Sequence, residues 1–565
     1  MFTRLVRQGS RAQVLLWLLV GAGCSGGTDP HIAPCTAAGA AVALAVNEYV
    51  SLDPAPDSGC TVYPATAGSG AEYLIVPQIA TGTPGATAAF RLVGDTIVPV
   101  PSAPTPQLRA QQSPAEQFHT FLRLGDERRS WGLLPASAAG PGPFASRASG
   151  PLAMNQLRTF QVCAKLDCTR FDRVGARVQA VKSKVAIFLD TLAPAGGFDS
   201  LAFDSVANLF ETRLYAIDTA AFGRESDIDS NSVVLVLMSN TVNKLVTKSA
   251  CTTTGYVAGF FFGLDLDPTF HNDSRSNKGE VFYSIVPDPS ATLSCAHSKT
   301  EVLTFVPVTF IHEFQHMISF NQHVLQRGGN GEVLWLNEGF SHYAEELGGR
   351  SYETAPGGRI TNVTLLSTPG RFYAGDLLDG YTYLDSTSTH FLLPTAGIGT
   401  LSERGAAWLF VRYLVDRYAA GNTRADWDVL TRALVGTSQT GAQNITTVTG
   451  DPFATIVSRW ALANWATDIS GAPPELKYDS WDLHAVYASL NSQDGQDFPN
   501  PYPLVPTSSA GRGVNLSGTL RAGSGIYHRA TQPASDPGFT LHFTPASGGL
   551  FSASLVPRLN VMRLQ

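Results

Sequence analysis

The stretch TFIHEFQHMISFNQH, residues 309–323, sets two histidines four apart with a glutamate directly after the first, inside an otherwise apolar and aromatic run. An α-helix returns to the same face after four residues, so His312 and His316 can address one ion while Glu313 stands beside it without binding it. With 12 histidines in 565 residues, an accidental HExxH is expected in roughly one chain of this composition in a hundred. The competing reading is a buried helix with two interior histidines, and a third ligand separates the two. WLNEGFSHYAEEL, residues 335–347, offers one. A second helix crossing the first can aim Glu338 at the same ion, giving a His2Glu set with one position open, as a catalytic zinc requires. A closed structural site has four protein ligands and is usually richer in cysteine. His323, seven residues after His316, is read as a solvated helix-end histidine rather than a fourth ligand.

HEFQHMISF followed by WLNEGFSHYAE resembles the gluzincin zinc peptidases, the clan that includes the thermolysin and aminopeptidase N types. The wording HEFQHM, WLNEG and GAAWLFVRYLVDR is most similar to the hyicolysin family of secreted bacterial metallopeptidases. The resemblance covers roughly residues 180–420 and leaves the flanking segments outside. It implies one catalytic zinc ion held by His312, His316 and Glu338, with Glu313 as general base. Acid–base chemistry reaches the same assignment: the metal lowers the pKa of a bound water, Glu313 takes the proton, and the leaving amine later receives it. SNKGEVFYSIVPD, residues 276–288, resembles the edge strand of gluzincin clefts, where an extended peptide adds as a further strand. Asn277, Gly279 and Glu280 are then substrate contacts, or else only a turn and the start of a strand.

Two departures from the clan stand out. Thermolysin-like members carry an aspartate four residues after the ligand glutamate, where this chain has His342; Glu345 is the candidate for orienting a ligand histidine in its place. Aminopeptidase-type members place an oxyanion-donating tyrosine shortly before the glycine that opens the later helix, whereas SERG stands around Gly405. Ser402 or Arg404 occupies that neighbourhood. Arg404, Tyr381, Tyr383 and His390 are candidate donors, with Arg404 and Tyr383 carried forward as catalytic; the bland reading makes each a surface or packing residue.

Length and composition frame this centre. A chain of 565 residues exceeds one compact core and implies several domains. Charged residues are 15%, with 53 Gly and 35 Pro, which fits a loop-rich, β-containing secreted protein. The formal charge is −7 with no Lys/Arg stripe, which argues against a nucleic-acid partner. Arg4, Arg7 and Arg11 precede the twelve-residue apolar run AQVLLWLLVGAG, read as an export signal over 1–23 and too short to remain in a bilayer. VGAGCSGG resembles a bacterial lipoprotein cleavage site with Cys24 as lipid acceptor, departing from the usual pattern at Gly21. The other six cysteines suit an oxidising compartment. Pairing Cys35 with Cys60, Cys163 with Cys168, and Cys251 with Cys295 is the simplest of the fifteen connectivities that six cysteines allow.

Along the chain, EYLIVPQ and FRLVGDTIVPV alternate with turn residues and read as a β-module over 35–155, interrupted by the Pro-rich segment 101–114 and ending in the Ala/Ser/Gly-rich segment 135–151. KVAIFLD, SVVLVLMSN, GYVAGFFFGLD and GEVFYSIVPD are strand-length runs, with a helical run between the first two, implying a mixed sheet. DIDSN, residues 227–231, places Asp227, Asp229 and Asn231 at calcium-loop spacing, but Met238 stands where an EF-hand needs a glutamate; a plain turn is the alternative. The expected architecture is α+β: a tether over 24–34, a gluzincin-like catalytic body over 156–490, and a C-terminal β-module over 491–565. The expected function is a monomeric exported zinc metalloendopeptidase, lipid-anchored at the bacterial envelope or else extracellular, acting on protein or peptide substrates and touching membrane only through its anchor. A zinc exopeptidase and a catalytically weakened zinc-containing binding lipoprotein are the alternatives.

Overall fold

The computed structural model describes Cys35 and residues 39–66, 68, 70–95, 112–126, 152–395 and 397–565. The expected export signal, the Cys24 anchor with its tether, most of the Pro-rich segment and the segment 135–151 lie outside the described residues. The chain begins with strands β1 (Ala40–Ala41), β2 (Tyr49–Leu52), β3 (Cys60–Pro64), β4 (Ala71–Ile79) and β5 (Thr87–Gly94). Helix α1 (Pro114–Asp126) follows, inside a region read from sequence as β-module. Its start is a reciprocal cap: Glu116 accepts from the Ser113 N–H at 2.6 Å while Ser113 Oγ accepts from the Glu116 N–H at 3.2 Å.

The central body is built on β6 (Leu157–Cys163), β7 (Phe171–Val181), β8 (Val185–Asp190), β9 (Val234–Met238), β10 (Gly259–Phe261) and β11 (Val281–Ser284). They form one mixed sheet in the order β10-β11-β9-β8-β7-β6, with β9 parallel to both neighbours. A parallel crossover needs a helix, and α2 (Ser200–Leu209), a π-turn over Phe210–Leu214 and α3 (Tyr215–Phe222) supply it between β8 and β9. All five β9 residues are buried, as a central strand covered on both faces should be. The two edges are β10 and β6. The strand of SNKGEVFYSIVPD, expected at the edge, is β11 and lies inside the sheet, because GYVAGFFFGLD pairs antiparallel outside it.

Helices α4 (Asn240–Asn243), α5 (Lys248–Thr254), α6 (Lys299–Phe320), α7 (Leu334–Arg350), α8 (Thr368–Asp385) and α9 (Leu401–Tyr418) follow, then α10 (Arg424–Val435), α11 (Gly441–Thr449), α12 (Phe453–Ala466) and α13 (Leu483–Gln493). The chain closes with β12 (Thr507–Ala510), β13 (Asn515–Arg521), β14 (His528–Gln532), β15 (Gly538–Pro545) and β16 (Pro557–Arg563).

The two expected β-modules are one sandwich. Its sheets run β1-β3-β15-β5-β13 and β12-β14-β4-β16-β2, so both sheets mix strands from the two ends of the chain. Neither end can stand alone, since β15 fills the gap between β3 and β5 and β16 the gap between β4 and β2. The sandwich core is aromatic: Tyr63 of β3 stacks on Phe539 of β15 with ring centroids 4.3 Å apart. Its other face joins the helical body, where Leu74, Val76 and Met562 share a continuous buried core with α12 and the Tyr527 hydroxyl donates to the Ala461 carbonyl at 2.7 Å. Three disulfides join Cys35 to Cys60, Cys163 to Cys168 and Cys251 to Cys295, the sequential pairing.

Candidate metal centre

Helix α6 starts at a full capping box, with Ser298 and Glu301 satisfying each other's backbone N–H groups. From Phe310 to Phe320 every residue is buried, so the helix runs through the body rather than over it. One face is aromatic, with Phe310 stacked between Phe210 at 4.1 Å and Phe282 at 4.8 Å. The opposite face presents His312 and His316 to α7. Gly339, next to the ligand glutamate, makes this crossing possible: a Cβ there would stand 2.8 Å from Val411 Cγ2 and 3.0 Å from the Ala407 carbonyl oxygen of α9.

His312 Nε2 and His316 Nε2 are 3.2 Å apart, and they lie 3.6 Å and 3.5 Å from the two Glu338 oxygens. Ligands about 2.05 Å from a tetrahedral ion stand about 3.3 Å from one another, so the triangle has the right size. Proton placement agrees. His312 Nδ1 is 2.7 Å from Glu345 Oε1 and His316 Nδ1 is 3.1 Å from Asn337 Oδ1. With Glu345 and Asn337 accepting, the protons sit on Nδ1 and two Nε2 lone pairs face each other beside a carboxylate. Both Glu338 oxygens are buried without a hydrogen-bond partner among the described residues. Burial would raise the Glu338 carboxyl, yet neighbouring His316, His312 and Arg404 hold it well below its ordinary value. Three converging electron pairs in a buried site fit a metal cation and are costly without one.

Behind these ligands lies a second layer. Glu345 Oε1 also approaches His342 Nδ1 at 3.4 Å, and His342 Nδ1 meets Asp376 Oδ1 at 2.8 Å. His342 and Glu345 are thus brought to the far side of His312, with Glu345 making the orienting contact. Asn337 and Asp376 complete this layer. The N of WLNEG signals the former; nothing local in the sequence signals the latter.

Glu313 is 1% exposed and accepts from the Phe261 N–H of edge strand β10 at 2.9 Å. Its other neighbours come from α1. His119 Nδ1 is 3.8 Å from Glu313 Oε1, Arg123 Nη2 is 3.7 Å from Glu313 Oε2, and Arg123 Nη2 also donates to the Phe261 carbonyl at 2.8 Å. Burial lowers His119 to about 3, so its imidazole is neutral. Glu116 of the same helix accepts from the Leu401 N–H at 2.9 Å and lies 3.9 Å from Arg404, whose other nitrogen is 3.9 Å from Glu338. Reading residues 35–155 as a β-module hid these three, although the S-x-x-E cap over 113–116 marks the helix.

The remaining candidates are dispersed. Tyr383, carried as catalytic, is fully buried with its hydroxyl 3.0 Å from Ser524 of the sandwich and its ring stacked on Trp460. The Tyr381 hydroxyl accepts from the Asn500 N–H, Ser402 pairs with Thr382, and His390 is half-buried in the connection to α9. Asn277 is tied to Gln161 and Tyr283, Gly279 backs onto Asp229, and Glu280 accepts from Ser226 and the Ile228 N–H. His323, expected to be solvated, is fully buried in the π-turn after α6.

No protein-family model matches the chain. Over 144 residues it is 28% identical to the neutral metalloprotease ShpI of Staphylococcus hyicus. The chain is similar to a metalloprotease. The match takes in 25% of this chain and 30% of the relative, so it spans under a third of that protein. It supports a metalloprotease relationship, which a histidine and glutamate cluster able to hold a metal accompanies in the α+β body.

Proposed function

We propose that the chain is an exported zinc metalloendopeptidase of the gluzincin type. The observation that carries this reading is the buried triangle of His312 Nε2, His316 Nε2 and the Glu338 carboxylate, with Glu313 next to His312 in the chain. A zinc ion held by His312, His316 and Glu338 would supply a Lewis acid and a water of lowered pKa. Glu313, fixed by the Phe261 N–H, would take up a proton at its carboxylate and return it to the leaving amine. Glu345 and Asn337 fix the two imidazole rings. Arg404, 3.9 Å from Glu338, takes the role of oxyanion partner, since Tyr383 is committed elsewhere.

An extended substrate adds to β10 as the next strand. The Phe261 carbonyl it would use is held by Arg123, so α1 yields that acceptor when substrate enters. In the described residues no helix is long and apolar enough to cross a membrane, and attachment through Cys24 supplies the envelope location in this reading. Metal analysis of the purified chain together with hydrolysis of unfolded casein tests the proposal. Glu313→Gln should keep one zinc per chain and lose about three orders of magnitude or more in kcat. Equal hydrolysis by both forms, or none by a zinc-loaded wild type, would exclude peptidase catalysis at this centre. The latter result would favour the binding lipoprotein.

A further inference from the structure

Away from the zinc ligands, three carboxylates meet at the feet of two neighbouring strands. Asp227 and Asp229 lie in the loop entering β9, and Glu280 directly precedes β11, which pairs parallel with β9. One oxygen from each lies within 4.8 Å of the others, the greatest separation that two ligands about 2.4 Å from one ion can have. Glu280 is 1% exposed. Its Oε1 accepts from Ser226 Oγ at 2.6 Å and from the Ile228 N–H at 3.0 Å, while Oε2 is buried with no hydrogen-bond partner among the described residues. A buried carboxylate oxygen left in that state is costly.

Arg158 supplies counter-charge to one of the three. Arg158 Nη1 stands 3.8 Å from Asp229 Oδ2, and its Nη2 donates to the Asn277 carbonyl at 3.1 Å. Burial, foremost, raises the carboxyls of both Asp229 and Glu280. Gly279 permits the approach, because a Cβ there would stand 2.9 Å from Asp229 Oδ2.

We propose that Asp227, Asp229 and Glu280 bind a calcium ion. All three donors are hard oxygens, with neither nitrogen nor sulfur among them, which selects an alkaline-earth cation. Asp227 is exposed and leaves one side open to water, suiting the looser coordination of calcium better than the strict octahedron of magnesium. The glutamate missing at Met238 from the DIDSN loop is supplied in space by Glu280. The ion would staple the β9 loop to β11, whose Phe282 pairs with Phe261, the residue that holds Glu313.

The test is calorimetric and thermal, and independent of catalysis. Zinc-loaded full-length protein, freed of calcium on a chelating resin, is titrated with calcium chloride and melted with and without it. One calcium per chain and a higher melting temperature are expected, with a smaller shift from magnesium. Asp229→Asn and Glu280→Gln should each weaken calcium binding by about tenfold or more while zinc content is unchanged. Absence of heat and of a thermal shift in the wild type at millimolar calcium would overturn the site, whatever the variants do. Undiminished binding by both variants would place the ion elsewhere and overturn it as well.

Discussion

At the residue scale, the ligands are set by neighbours as much as by themselves. Glu345, three residues beyond His342 on α7, carries the 2.7 Å contact to His312 Nδ1. Glu345→Ala should lower zinc affinity by about 10–100-fold with the fold retained, read by competition with a zinc-binding dye; affinity equal to wild type would remove Glu345 from the centre. His323 gives a pH prediction. Burial, with Arg327 nearby, lowers it to about 4, against about 6.5 in the unfolded chain. Between those values the unfolded chain binds a proton that the folded chain refuses, so stability is complete above about pH 6.5 and falls as pH drops toward 4, by up to about 3 kcal/mol. Denaturant unfolding of His323→Gln across that window should show a shallower acid loss than wild type, and parallel profiles would refute this. HExxH and WLNEG made the first layer legible because helical periodicity is local. Asp376 was not legible, since its meeting with His342 depends on how α8 packs on α7.

At the element scale, α1 changes the picture of the cleft. Its cap is written in the sequence, but that it lies against β10 is a tertiary fact. Arg123 occupies the edge carbonyl that a substrate strand needs, at 2.8 Å. Removing one charge-assisted hydrogen bond changes an equilibrium by about 1.5–3 kcal/mol. Arg123→Ala is therefore expected to lower KM for an extended peptide by about tenfold with kcat little changed. A fall in kcat at constant KM, with zinc retained, would instead make Arg123 part of the catalytic apparatus. The mistaken edge has the same origin: GEVFYSIVPD and GYVAGFFFGLD are both apolar strands, and only pairing shows that the shorter one lies outside.

At the scale of the whole molecule, the interleaved sandwich makes the two chain ends one cooperative unit. Deleting residues 507–565 removes β15 and β16 from between N-terminal strands. The truncated protein should lose protease resistance over 39–95 as well as at its new end, and limited proteolysis that leaves a stable N-terminal fragment would contradict the single sandwich. Strand-forming pieces at both ends were readable from alternation and turns, whereas their pairing was not, because contacts between β3 and β15 span more than four hundred residues of chain. The sequence by itself determined the α+β class and the local placement of the candidate ligands, since a helix repeat sets His312, Glu313 and His316 relative to one another without reference to anything distant. Tertiary structure alone decided which strand is the edge, which helix covers the base, and that Asp227, Asp229 and Glu280 share one corner, because side chains far apart in sequence meet only through packing.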